Sequence, residues 1–218
     1  MGRPDTVVPM SPLRPPDDEL EHLLLRHELW TKALGTKGGQ LVLDDADLAG
    51  LDLAGRDLSD AYLGGCRLVG ARLDGTLLHG SLLIEADLTD ASLVEAGIAK
   101  AEADRAKLVR ARLTRASLIR TTLWDADLRH ADLRGANLLK THLIGADLRG
   151  ADLRGANLER TFLDRVRLGG ARLAGALKPE TVLLQDGFDT SPDGTSQWRA
   201  AAEAVDWLVW RAKEQDAG

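Results

Sequence analysis

The chain has 218 residues, enough to bury a sizeable core, but aromatic residues make up only 4% of it, so that core must be filled by repeated aliphatic side chains. One cysteine, Cys66, excludes an internal disulfide framework and is read as a small buried apolar side chain. There is no basic start followed by an apolar run, and no stretch reaches the ~18 apolar residues of a membrane span, so a cytoplasmic protein is expected, with a moderate net charge of −6.

Residues 1–16 hold five of the seven prolines and predict a disordered or extended tail. Residues 17–40 predict a capping helix and linker. Asp17 or Asp18 can cap a helix running to about Leu34, with Leu20, Leu23, Leu24 and His27 on one face and Gly35 near its end. Such a helix suits a lid over whatever follows.

Residues 41–175 are internally repetitive. From Leu43, every fifth residue to Leu173 is leucine, except Ile98 and Ala103, and these twenty-seven positions follow one another without insertion or deletion. The residue two before is small in most repeats: Ala46, Ala61, Ala71 and Ala126, elsewhere Cys66, Ser81, Thr121, Thr141 or Thr161. Residues 126–160 give the purest form, ADLRH, ADLRG, ANLLK, THLIG, ADLRG, ADLRG and ANLER. A period of five fits neither a helix nor a simple alternating strand. It fits a coil whose side is five residues long, with the leucine and the small residue pointing inward. Glycines such as Gly50, Gly55, Gly70, Gly75 and Gly80 then stand at corners.

The A(D/N)LXX pattern resembles the pentapeptide-repeat family. That resemblance implies an all-β solenoid, a right-handed quadrilateral parallel β-helix of about seven coils, with short α-helices added here at the N- and C-termini. It also implies a non-catalytic protein that binds a protein partner. The family's best-characterised role is modulation or protection of a type II DNA topoisomerase, DNA gyrase or topoisomerase IV, by DNA mimicry, as in antibiotic resistance or self-immunity. The alternative is a structural or adaptor scaffold unrelated to topoisomerases. Where topoisomerase-binding members often carry Phe at the core position, this chain carries Leu.

Beyond the repeats, residues 176–195 predict a linker, with turns at Pro179, Asp186-Gly187 and Pro192-Asp193-Gly194. In residues 196–218, Thr195 or Ser196 caps a helix reaching about Glu214. Trp198, Ala202, Val205, Leu208, Val209 and Ala212 form its apolar stripe, with Trp207 and Trp210 partly outside. A helix apolar on more than one side needs two surfaces to pack against. Trp198, Val205, Trp207, Leu208 and Trp210 are therefore a candidate homodimer contact, as the family resemblance also implies.

No catalytic, cofactor or metal motif is found. The five histidines show no ligand spacing, and no phosphate loop or nucleophile elbow is present. The surfaces carry the candidates instead. Residues 41–95 hold eleven acids against Arg56, Arg67 and Arg72, a net of −8. Asp47, Asp52, Asp57, Asp60 and Asp87 form a candidate DNA-like surface there. Residues 100–175 hold nine acids and sixteen bases, a net of +7. Lys100, Arg105, Arg110, Arg115 and Arg120 form a candidate basic collar for an acidic partner. Direct nucleic-acid binding is not expected, because aromatics do not interleave with these bases and the acidic half repels phosphate.

A period of twenty places Val42, Tyr62, Leu82, Ile84, Trp124, Ile144 and Phe162 on one side, a candidate apolar contact face. The competing expectation is that residues 180–190, with Leu183, Leu184 and Phe188, lie along it. Farther into the core, Ile98 and Ala103 predict a thinly packed coil with a bend or bulge. Asp127, Asp132, Asp147 and Asp152, with Arg129, Arg134, Arg149 and Arg154, predict ladders of exposed ion pairs.

Overall fold

The computed structural model describes residues 14–191 and 197–214. The proline-rich tail therefore lies outside the described residues except for residues 14–16, as do the cap candidates Thr195 and Ser196.

Helix α1 spans Asp17–Lys32. It starts at Pro16, whose carbonyl accepts the Leu20 N–H at 2.8 Å, and neither Asp17 nor Asp18 caps it through its side chain. Both acids sit instead in the first turn, where the helix dipole favours them. Leu20, Leu24 and His27 are buried against the start of the repeats. Arg56 fixes the helix from the rod side, donating to both Glu21 carboxylate oxygens at 2.7 and 2.6 Å and to Glu28 at 3.2 Å.

From Val42 onward there is no long strand. One residue per repeat pairs in parallel with the residue twenty later, and the pairings fall into four columns. They run from Val42 to Leu183, Asp47 to Asp189, Asp52 to Arg172 and Asp57 to Leu177. The four columns are the sides of a rod. The last two pairings, Phe162 with Leu183 and Arg167 with Asp189, skip twenty-one and twenty-two residues, so the segment after the repeats continues the winding with one and two extra residues.

Three local devices explain why these residues make this coil. The leucines and the small residues fill the interior: Leu63, Leu83, Leu113 and Leu133 are shielded from solvent, as are Ala61, Ala111 and Ala131. Where the small position is threonine, its hydroxyl reaches the adjacent coil, while Ser81 donates to the Leu78 carbonyl of its own coil at 2.9 Å. Thr76, Thr121, Thr141 and Thr161 donate to the carbonyls of Leu53, Ile98, Leu118 and Leu138 at 2.6–2.8 Å. The Cys66 thiol, its pKa pushed up to about 12 by burial, donates to the Leu43 carbonyl. Each polar group is thus satisfied without water.

The second device is the Asp or Asn before the leucine. Its carboxylate or amide oxygen accepts the N–H two residues on, as Asp47 does from Ala49, Asp127 from Arg129 and Asn137 from Leu139. This is an Asx turn at the corner. The third is the last residue of each repeat, held at φ between about +54° and +74° from Asp45 to Gly175 wherever it is left-handed. Gly50 and Gly55 have open space beside them, so φ rather than room is what selects glycine there.

The expected bulge at Ile98 and Ala103 does not occur. Pairing continues through Leu77, Gly97 and Ser117 and through Leu82, Glu102 and Thr122, and Ala103 N–H bonds the Thr122 carbonyl at 2.9 Å. The ladder is set by backbone turns, which a smaller core side chain leaves untouched.

At the far end, a short 3-10 turn at Pro179–Thr181 leads to strand β1, Gly187–Asp189, antiparallel to strand β2, Trp198–Ala200. Helix α2 then spans Ala201–Lys213. Trp198 belongs to β2 rather than to the expected helix, because residues 198–200 pair with the strand that closes the last coil. Phe188 is shielded beneath α2, its ring edge-on to Trp207 at 5.7 Å, with Ala204 and Leu208 also shielded. The Gly175 N–H donates to the Ala212 carbonyl at 2.8 Å. Among the described residues no helix is long and apolar enough to cross a membrane.

His27 makes the α1 contact sensitive to acid. Its Nδ1 accepts the Leu41 N–H at 3.0 Å, its Nε2 has no partner, and burial holds its pKa below the ordinary 6.5 against the raising pull of Asp57, Asp60 and Glu28. Below that value the unfolded chain takes up a proton the folded chain resists, so stability is intact above pH 6.5 and lost as the pH falls through the folded value. The melting temperature should drop between pH 7.5 and 5.5, followed by Trp30 fluorescence, and His27→Gln should flatten the drop.

Candidate functional site

The five acids expected to imitate DNA do not form one surface. Asp47 and Asp87 lie on one column, Asp52 on the next and Asp57 on the third, while Asp60 stands at a corner. Asp47 is paired with Arg67 at 2.7 Å, Asp52 with Arg72 and Asp87 with Lys107 at 3.6 Å. The hydrogen bond from Arg67 holds the Asp47 carboxyl below the usual carboxylate range, and Arg72 does the same for Asp52. Asp57 accepts the Ser59 N–H at 3.0 Å. Coil stacking puts the acids of one coil against cations of the next, a relation that linear counting of charge did not reveal.

The basic collar is dismantled in the same way. Arg105, Arg110 and Arg115 pair with Glu85, Asp90 and Glu95, each twenty residues earlier at the same corner, at 2.6–2.8 Å. Lys100 and Arg120 carry no ion pair among the described residues. They belong instead to a vertical row with Lys140 and Arg160, one cation per coil along a single corner, each left-handed and none ion-paired among the described residues. Sequence reading followed the cations around one coil and missed the row of four along the rod; counting by twenty would have found it.

Ion-pair ladders form where the repeat is purest. Arg129, Arg134, Arg149 and Arg154 each grip the aspartate two residues before with two nitrogens. Arg167 and Arg172 approach Asp147 and Asp152 from the coil above at 3.7 Å.

The apolar side is formed as the period predicts and runs beside the row of free cations. Its column reads Val42, Tyr62, Leu82, Glu102, Thr122, His142, Phe162 and Leu183. Ile84, Trp124 and Ile144 stand two residues along on the same side. The His142 and Phe162 rings are tilted by 30° with centroids 4.2 Å apart, and Trp124 lies 6.5 Å from His142. Glu102 and Asp104 divide the side into two apolar stretches. No described segment lies along it. Leu183 extends the column, Leu184 is partly buried against the core and Phe188 is beneath α2. Val42 remains 55% exposed, Tyr62 39% and Trp124 48%. A groove beside the rings is lined by Arg120, Lys140, His142, Arg160, Phe162 and Leu183.

The candidate dimer helix is largely used up by the rod. Leu208 is shielded, Val205 and Trp207 pack against the core, and Arg199 and Arg211 lie 5.7 and 5.8 Å from the Trp207 ring centroid. Only Trp198 and Trp210 of that set stay exposed, at 48% and 54%. The last coil supplies one of the surfaces the helix needed. Among the described residues no group of His, Cys, Asp and Glu is arranged to hold a metal ion.

Comparison with known proteins follows this geometry. The family model described as "Pentapeptide repeats" matches in eight copies, over residues 42–80, 57–93, 71–108, 99–135 and 131–170. Among solved structures, the chain is similar to HetL, a protein involved in heterocyst differentiation regulation from the cyanobacterium Nostoc, at 29% identity over 73% of this chain and 82% of that one, with a TM-score of 0.32. It is similar to a trypsin-treated form of QnrB1, a plasmid-mediated fluoroquinolone resistance protein, at 20% identity over 70% and 72%, with a TM-score of 0.42. Rfr23 from the cyanobacterium Cyanothece matches at 22% identity over 74% and 99%, with a TM-score of 0.30. No curated protein matches the chain.

Proposed function

The chain belongs to the pentapeptide-repeat family, whose members form right-handed four-sided β-helices, and on that premise we propose that it acts without catalysis, by docking a protein along its aromatic side. The observation that carries this reading is the column from Val42 to Leu183, exposed or half-buried along the rod and bordered by four cations that form no ion pair among the described residues. Apolar surface of that extent is characteristic of contact sites, and cations along one edge select the orientation of what docks. Hydroxyl-radical footprinting of the dilute protein, alone and in cell extract, tests it. Protection of Tyr62, Trp124 and Phe162 is expected either on addition of extract or on concentrating the purified protein, and equal reactivity under all three conditions would refute the docking side.

A second reading, modulation of DNA gyrase or topoisomerase IV by DNA mimicry, is favoured by the net −8 of residues 41–95. Pairing of Asp47, Asp52 and Asp87 with cations weighs against it. A gyrase supercoiling and cleavage assay with added protein, with and without a topoisomerase poison, separates the two readings. Inhibition or rescue would favour mimicry, and no effect at micromolar protein leaves the scaffold reading.

A further inference from the structure

Resting on the docking reading above, we infer that the partner seated on the aromatic side is a second copy of this chain, laid face to face and antiparallel. The side is self-complementary about its middle. A two-fold axis lying in the contact plane at the Glu102 coil, perpendicular to the rods, reverses the order of coils while keeping each corner opposite itself. It brings coils three, two and one step below the Glu102 coil onto those the same number of steps above it in the other copy.

The apolar residues then meet apolar, aromatic or small ones, with Ile144 facing Gly64 of the second copy. Val42 opposes Phe162 of the second copy, Tyr62 opposes His142, Leu82 opposes Thr122, and Ile84 opposes the projecting Trp124. Small meets small at Gly65 and Gly145. Charge follows the same order. Asp60, which makes no ion pair in its own chain, opposes Lys140 of the second copy, and Asp45 opposes Arg165, with all four residues at left-handed corners. Where acids meet, at Glu85 and Asp125, Glu85 is already paired with Arg105. Asp44 and Asp164 also meet, each with an oxygen held by backbone N–H groups. On the central coil Lys100, Glu102, Asp104 and Arg105 each meet their own copy across the axis, and because they stand across the side in the order plus, minus, minus, plus, each has an opposite charge of the second copy as its lateral neighbour.

The parallel arrangement fails on the same residues. It sets Val42 against Asp44 and Phe162 against Asp164, while Arg160 faces Arg165. The isologous antiparallel contact is therefore the one the pattern specifies. The seven overlapping residues from Val42 to Phe162 span six spacings of about 4.8 Å, roughly 29 Å. A side roughly 15–20 Å wide then buries roughly 430–580 Å² on each copy, at the low end of interface sizes. Charge has to contribute, and the contact should loosen with salt.

Solution mass and charge exchange test this on the full chain. Sedimentation at up to about 100 µM in low salt should show a dimer. Asp60→Lys, at an exposed corner, and Lys140→Glu, at a half-buried one, should each raise the dissociation constant at least about tenfold. An equimolar mixture of the two variants should recover the dimer, since each Lys then faces an acid. Tyr62, Trp124 and Phe162 should become protected from radicals as the purified protein is concentrated. A wild-type monomer would overturn the inference, as would a dimer indifferent to both substitutions, which would point to Trp198 and Trp210. Ring protection in a monomeric sample would overturn it in favour of the chain's own residues 1–13. Ring protection seen only in extract would overturn it too, while leaving the docking reading in place.

Discussion

Replacing Phe188 by alanine should cost the C-terminal end of the rod about 3–5 kcal/mol. Phe188 is the one aromatic side chain fully shielded in the structure, and it closes the last coil against Trp207, Ala204 and Leu208. Its loss removes the floor on which α2 rests. In a solenoid each coil contacts only its neighbours, so the damage should stay local. Trp207 fluorescence should report an early transition, while the far-ultraviolet signal of the repeats melts later. A single cooperative transition shifted as a whole would refute this picture of independent ends.

The second large effect is a contrast of sign between two identical substitutions. Ala131→Leu should destabilise by about 1–3 kcal/mol or more. Ala131 is shielded at the small inward position, where its N–H closes a turn on the Leu128 carbonyl at 3.1 Å and leaves no volume for a branched side chain. Ala103→Leu should raise the melting temperature instead, because Ala103 occupies the leucine position between Leu83 and Leu123 in an otherwise regular coil. Thermal unfolding of both variants decides it. A fall for Ala103→Leu would mean that neighbouring side chains have closed over the space.

The period of five was legible because it is a property of the chain alone. Leu43 to Leu173, the small position and the corner glycines could all be assigned from spacing. What could not be read was whatever depends on the adjacent coil. Asp47 and Asp52 look like free surface charge until Arg67 and Arg72 are stacked on them, and Arg105, Arg110 and Arg115 look like a collar until Glu85, Asp90 and Glu95 lie below. Asp127, Asp132, Asp147 and Asp152 read from sequence as members of exposed ion pairs, whereas each also accepts the corner N–H two residues on. At the ends, where repetition stops, residues 198–200 carry an apolar pattern compatible with a helix, and only pairing with residues 187–189 makes them a strand.

The closure of both ends by α1 and α2 limits how copies of this chain can assemble. A bare terminal coil is a ring of unpaired backbone donors and acceptors, ready to receive the coil of another molecule and grow a filament. With Leu20, Leu24 and His27 seated on one end and Ala204 and Leu208 on the other, that route is blocked. Growth along the axis is closed off, so any assembly of copies has to form through the sides of the rod.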